Sequence, residues 1–361
     1  MLNVIFTLDY EIHGNGEGCP HALMVEPTGR QLDLFDEYGA KLTIMADVAE
    51  ILKFREYRDQ SGRDDFHYEA IAAQLKDAIR RGHDVQLHLH CSYFNARFEG
   101  GKWIQDWSEY NFAGLSEQRL NEVIRIGKEF LETELRSVDP EYRCNVFRAA
   151  NWAVSPSRNV VRALLNNGIE TDTSVFKHGK RDGLVQFDYT KAHSEMVPWL
   201  VDEDDICARN DAGKLAEVPI YSERRWIGAF FSVNRFYRAH LSRKHTFQPN
   251  GSPAPGRDRA IGQAGRLTKM LAFAFGQHAW KADFNQCSGP QLVRALDRAS
   301  RRHDADGSRS LPFVLIGHSK LFTRYNERVL RPFLGHVARQ PGRFCFGKFR
   351  GYTHTHEAFP R

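Results

Sequence analysis

Four side chains in the first ninety residues have the types and spacing to grip one metal ion. In the run GHDVQLHLHCSY, His88 and His90 stand two apart within an apolar stretch that reads as a strand. Alternate residues of a strand face the same side, so both imidazoles point one way. Alone, such a pair is equally well a polar patch at a strand end. The first apolar run, however, ends in TLDYEIHG, where Asp9 and Glu11 also share a face. Neutral imidazoles and carboxylates together suit one divalent metal, most naturally zinc, with iron, cobalt or manganese as substitutes. A bound ion of this kind lowers the pKa of its water and polarises a carbonyl, which is what hydrolysis of an unreactive amide requires. His318, closing a long apolar run near the C-terminus, has a side chain with an ordinary pKa of about 6.5, suited to protonating a departing amine. The plain alternative for His318 is a buried structural histidine.

The elements that would position these groups follow from periodicity. Short runs rich in Val, Ile and Phe alternate with amphipathic stretches, the rhythm of a parallel sheet wrapped by helices, so the class is α/β. Strands are expected at residues 3–9, 41–46, 84–90, 143–148, 170–174, 311–318 and 343–347. The candidate ligands then lie at the C-terminal edge of the sheet, where α/β folds place their active sites. Helices are expected at 68–81, with Ile71, Leu75, Ala78 and Ile79 on one face and Gly82 as the stop, and at 116–135. A third is expected from Ser155-Pro156, read as N-cap and first-turn proline, to Asn166-Asn167-Gly168. Such units in succession build a barrel or an open wound sheet. Residues 197–310 break the rhythm with hairpin-like runs at 215–221 and 226–231, a flexible loop at 248–257, and helices at 260–275 and 290–302. They read as an α+β insertion before the penultimate strand of a single domain.

Composition narrows the partners. At 42% hydrophobic and 26% charged, the 361-residue chain can bury one full core. A net charge of +5 is too small to argue for nucleic acid. The excess lies after Lys320, where Arg324, Arg328, Arg331, Arg339, Arg343, Lys348, Arg350 and Arg361 face only Glu327 and Glu357. That stretch is either a solvated basic face or a peripheral contact with an anionic membrane surface. Cys19, Cys91, Cys144, Cys207, Cys287 and Cys345 form no C-x-x-C pair, which fits a reducing compartment. The opening MLNVIFTLDYE reads as a core strand and not a signal peptide, and no run reaches the roughly 18 apolar residues of a membrane span, so a cytoplasmic protein is expected. The Thr-His-Thr-His containing His354 and His356 reads as an exposed tail.

Five segments carry a family resemblance. Thr7-Leu8-Asp9-Tyr10-Glu11, Gly82-His83-Asp84 leading into His88, Phe147-Arg148-Ala149-Ala150-Asn151-Trp152, Thr171-Asp172-Thr173-Ser174 and Leu315-Ile316-Gly317-His318 stand in the order of the five motifs of the NodB-type polysaccharide deacetylases, carbohydrate esterase family 4. The chain resembles that family over its first half and around His318. The resemblance implies a distorted (β/α) barrel. It also implies roles: Asp9 as catalytic base, Glu11 as metal ligand beside His88 and His90, Arg148 as the group that steadies the base, and His318 as general acid. Asp172 would orient His318 or cap a strand end. Three positions depart from the pattern. Tyr10 separates two carboxylates that are adjacent in the family, so either Asp9 or Glu11 can be the base. Ser92 occupies the place of the second histidine, leaving that part to His90, and Lys177 stands near an expected aspartate. Trp152 and Tyr93 are the candidates to stack on a sugar ring, unless they simply pack their own loops.

The expectation is a cytoplasmic, metal-dependent hydrolase that removes an N-acyl group, acetyl first, from an N-acylated sugar on a nucleotide- or lipid-linked precursor of a surface polysaccharide. Hydrolysis of another amide, such as a formyl amide, would use the same site. A carbohydrate-binding scaffold that keeps the fold without the reaction is the rival of another class, and metal content separates the two.

Overall fold

The computed structural model describes residues 1–236, 276–304 and 309–352. Its strands are, in chain order, β1 (Leu2–Tyr10), β2 (Leu42–Asp47), β3 (Asp84–Leu89), the hairpin β4 (Arg97–Glu99) and β5 (Lys102–Ile104), β6 (Val146–Ala149), β7 (Thr171–Asp172), the hairpin β8 (Lys180–Arg181) and β9 (Phe187–Asp188), β10 (Trp199–Leu200), β11 (Ala216–Glu217), β12 (Ser222–Trp226), β13 (Gln277–Lys281), β14 (Leu311–His318) and β15 (Phe344–Gly347). The principal helices are α1 (Glu26–Glu37), α2 (Val48–Ser61), α3 (Tyr68–Arg80), α4 (Glu117–Leu135), α5 (Arg158–Asn166), α6 (Gly289–His303) and α7 (Arg324–Ala338).

One curled sheet runs in the order β10-β11-β7-β6-β3-β2-β1-β14, parallel throughout except for β10 against β11. Every residue of β2, β3 and β14 is buried, because helices cover one face and the curled sheet encloses the other. β1 has three partners. β14 pairs with it from Leu2 to Asp9, while its other edge is divided between β15, at Leu2 to Ile5, and β2, at Phe6 to Tyr10. The far side is stitched together by single bridges from Ile220 to Val314 and from Asp283 to Ile316. The result is the distorted barrel that the family resemblance implied.

Local sequence explains the helices that carry the site strands. In α4, Ser116 caps the start by accepting a hydrogen bond from Arg119 N at 3.2 Å. Its apolar face, including Leu120, Val123, Ile124 and Phe130, packs inward. Gly127 lets α4 lie flush on β3, since a Cβ there would stand 2.7 Å from a Leu87 methyl. After α3, Gly82 turns the chain into β3 at a φ of +79°, a conformation glycine adopts without cost.

Several expectations need correction. α5 begins at Arg158, after Pro156, and Ser155 does not cap it; the hydroxyl of neighbouring Ser157 instead accepts a hydrogen bond from Ile206 N at 3.1 Å. Residues 215–221 are not an arm of a separate hairpin. They supply β11 to the main sheet, and Val218, Ile220 and Tyr221 are buried because they close the barrel wall. Of the run 226–231, only its first residue is strand: β12 pairs with β13, and Ile227–Phe230 is a 3-10 turn. The helix expected at 290–302 is present as α6, opened by a capping box between Ser288 and Gln291. The loop at 248–257, the helix at 260–275 and the tail with His354 and His356 lie outside the described residues. Much of the basic C-terminal run is engaged internally: Arg331 with Glu37, Arg343 with Asp297, Arg350 with Asp139, Lys348 with the Gly82 carbonyl, and Lys320 inside the barrel mouth. No helix among the described residues is long and apolar enough to cross a membrane.

Candidate active site

The sheet register brings the predicted groups together. Asp9 lies opposite His318 across β1 and β14, and His88 lies opposite Arg148 across β3 and β6. All stand at the C-terminal ends of their strands. Arg148 is wholly buried and ties several elements to one point. Its Nη1 donates to Asp9 Oδ1 at 2.9 Å and to Thr7 Oγ1 at 2.8 Å, while its Nε donates to the Thr173 carbonyl at 3.0 Å. Asp9 Oδ2 is thereby left facing His318 Nε2, 3.6 Å away. His318 is placed by its backbone N–H, which donates to Asn285 Oδ1 at 2.5 Å.

Glu11 faces the two imidazoles. Its Oε2 lies 3.1 Å from His90 Nδ1 and 3.6 Å from His88 Nε2, and the two rings meet edge to face with centroids 5.0 Å apart. His88 Nδ1 contacts the Arg148 carbonyl at 2.9 Å, which turns Nε2 inward. His90 is oriented by Asp47 at the end of β2, which approaches Nδ1 at 2.9 Å and accepts its backbone N–H at 3.0 Å. Ser92 turns away, its hydroxyl donating to Gln105 at 2.7 Å, so His90 is the second histidine of the cluster.

The electrostatics are those of a cation site. Burial works against the ionised Asp9, but Arg148, His88 and His318 outweigh it and hold the carboxyl below its usual value. Burial opposes ionisation of Glu11 too, and Lys320, His90 and His88 overcome it by a wide margin. His88 is disfavoured as a cation by burial, yet Glu11 and Asp9 raise its pKa to about 9. The surroundings therefore favour positive charge where the imidazole nitrogen points. One ligand atom from each of Glu11, His88 and His90 lies within 4.8 Å of the others, and this is the cluster of its kind among the described residues. One carboxylate oxygen and two imidazole nitrogens, Glu11 and His88 buried and His90 partly so, all held by outer partners, fit a divalent metal.

The remaining predicted residues fall differently. Asp172 is buried with both oxygens on Ser174, at 2.8 and 3.0 Å, and it adjoins Glu217; burial raises the pKa of both carboxyls. Lys177 points to the His193 carbonyl at 3.2 Å. Trp152 sits at the rim with its ring edge-on to His318, centroids 6.4 Å apart, and with Lys281 Nζ 3.5 Å from its own centroid. Asn151 and Trp152 both adopt positive φ, of 56° and 59°, a costly conformation that concentrates at functional sites. Tyr93 corrects the expectation: it is 2% exposed, on the 3-10 turn Cys91–Tyr93 that packs against α2, and offers no face to a sugar. Lys320, Asp47 and Thr173 belong to the site and escaped the sequence reading. Asp47 had a usable signal, an acidic residue closing the run LTIMAD.

No protein-family model matches the sequence, and no curated protein matches it. Solved structures do match. A protein from Parabacteroides distasonis described as a glycoside hydrolase/deacetylase superposes with a TM-score of 0.55 at 11% identity, covering 97% of this chain and 70% of that one. The chain shares the fold of that protein. A GH57-type branching enzyme from Pyrococcus horikoshii gives 0.50 at 10% identity, over 97% of this chain and 69% of that one. A protein described as a polysaccharide deacetylase from Mycobacterium smegmatis gives 0.49 at 12% identity, over 98% and 88%. At these identities a fold is what is shared, and activity must be argued from the site.

Proposed function

We propose that this protein is a metal-dependent hydrolase that removes an N-acyl group, acetyl first, from an N-acylated sugar. The observation that carries the reading is the convergence of the Glu11–His88–His90 cluster with the Asp9–Arg148 pair and His318 at one end of the barrel. Glu11, His88 and His90 would hold a divalent metal, zinc being the natural choice with iron, cobalt or manganese as substitutes. The metal would supply a water of lowered pKa and polarise the acyl oxygen.

The chain's own groups then divide the proton work. Asp9, kept ionised by Arg148, presents Oδ2 to the cavity and accepts the proton of the attacking water. Arg148 stays on Oδ1 throughout and stops the carboxylate from turning. His318 Nε2, 3.6 Å from that oxygen, delivers a proton to the leaving nitrogen, without which an amine is a poor leaving group. Trp152, beside His318, is the surface for the sugar ring. Asp172 acts at a distance through Ser174 and the β7 end that carries Thr173, by which Arg148 is held.

Support for Asp9 over Glu11 as base is geometric: both oxygens of Glu11 are taken up by Lys320 and the imidazoles, whereas Asp9 Oδ2 faces the proton donor. We place the reaction inside the cell, on a nucleotide- or lipid-linked precursor of a surface polysaccharide; six unpaired cysteines, one of them exposed, suit a reducing compartment. The test is amine release from N-acetylated sugars by zinc-loaded protein. Asp9→Asn and His318→Ala should each abolish it while the bound metal remains. Retained release in both variants would refute the assignment, and folded protein that binds glycans without metal would favour a scaffold.

A further inference from the structure

The two carboxylates near the end of β1 are held alike by cations from different parts of the chain. Arg148 takes Asp9 Oδ1 at 2.9 Å and leaves Oδ2 facing inward. Lys320, two residues past β14, takes Glu11 Oε1 at 2.7 Å and leaves Oε2 to the imidazoles. Lys320 is itself anchored: its Nζ also donates to the Ile12 carbonyl at 2.8 Å. Next to it, the Ser319 hydroxyl lies 3.4 Å from both the backbone N and the backbone O of Glu11. On the other side, the Ile12 N–H donates to Glu50 at 3.1 and 3.3 Å. The turn that carries Glu11 is thus gripped through side chain and main chain together. With the lysine side chain 14% exposed and the carboxylate 7%, solvent screens this pair far less than a surface one.

We propose that Lys320 is a positioning residue that makes Glu11 a one-oxygen ligand, aiming Oε2 at the space between His88 and His90. The inference rests on the metal reading given above. Lys320 lies in none of the five motif segments, so the family resemblance does not supply it. Without the ammonium, Oε1 has no clamp, and the carboxylate is released to rotate in a site that also holds Asp47 and Glu50. Outer partners of metal ligands are commonly worth about 10–100-fold in affinity, and Lys320 is expected to fall in that range.

The experiment measures metal affinity and not turnover. Full-length metal-free protein is titrated with Co2+, followed by visible absorption, and with Zn2+ against a chromophoric chelator. Lys320→Met should weaken both ions by about 10–100-fold. Lys320→Arg, which keeps the charge and a donor, should restore most of the loss, and Lys320→Gln, which keeps one hydrogen bond, should fall between. The Arg and Gln variants carry the test if the Met variant does not fold. Binding as tight in the Met and Gln variants as in the wild type overturns the role of Lys320 alone. A wild type that takes up neither ion refutes the metal reading, and this inference with it.

Discussion

Removing Arg148 should be costly chiefly because of the charge it leaves behind. Arg148→Met keeps the apolar bulk but strips Asp9 Oδ1 of its partner inside a site where Asp9 is 3% exposed. It also deletes the guanidinium's bonds to Thr7 and the Thr173 carbonyl. Breaking a buried pair by removing one partner costs about 3–5 kcal/mol. Proton uptake caps that penalty: bringing a carboxyl from its free pKa of about 3.9 to neutrality costs roughly 4 kcal/mol. The single variant should therefore lose about 5 kcal/mol, a large share of a typical domain's stability. Asp9→Asn removes the charge, so the double variant should be more stable than the sum of the singles predicts, by about 3 kcal/mol. The assay is a double-mutant cycle in urea, with m-values checked for constancy. Because the folded state depresses the Asp9 pKa, the pair's contribution is full at neutral pH and declines as pH falls towards that depressed value. The deficit of Arg148→Met should shrink already in mild acid, because the unpaired Asp9 carboxyl of the variant takes up its proton more readily as pH falls. Additivity within about 0.5 kcal/mol at neutral pH would refute the argument.

Further outcomes can be checked in the same preparations. Burial outweighs Asp36 and lowers the His83 pKa to about 4, so His83 stays neutral in the fold and its contribution is lost as pH falls from about 6.5 to about 4, by up to roughly 3 kcal/mol. His83→Asn, which keeps an acceptor for the Leu42 N–H, should flatten the urea-midpoint profile in that window; an unchanged profile would count against it. Gly317→Ala should lose about 1–3 kcal/mol and lower turnover, because the added Cβ would stand 2.2 Å from the Phe284 ring beside His318; wild-type melting would contradict the packing. Trp152→Ala should raise KM for a sugar substrate more than Trp152→Phe does, and equal values would remove Trp152 from the binding surface.

Strands were legible where burial on both faces made the apolar runs continuous: residues 311–318 appear as β14 without adjustment, and β1, β2 and β3 shift by one residue at an end or two. The two-residue strand β11 is too short to show a period, which is why residues 215–221 looked like a hairpin, while β7 fell inside the run expected at 170–174. α2 was missed because its buried residues crowd the first half, Val48 to Phe54, before a polar second half. α1 and α7 were obscured by Pro27 and Pro332. In the site, alternation along β1 and β3 was enough to pair Asp9 with Glu11 and His88 with His90. Thr173 and Lys320 were not legible, because their parts depend on a carbonyl position and a long side chain's reach across β1. Tyr93 misled because an aromatic residue in a loop looks the same whether it faces solvent or the core.

β1 draws two of its three partners, β14 and β15, from the last fifty or so residues of the chain. The segment bearing Asp9 and Glu11 must wait for about three hundred further residues of chain before its edges are satisfied. Pairings so distant in sequence make for slow folding and a long interval in which an apolar strand is uncovered. Chaperone dependence, and loss of soluble product on truncation ahead of β14, are the expected cellular costs of that wiring.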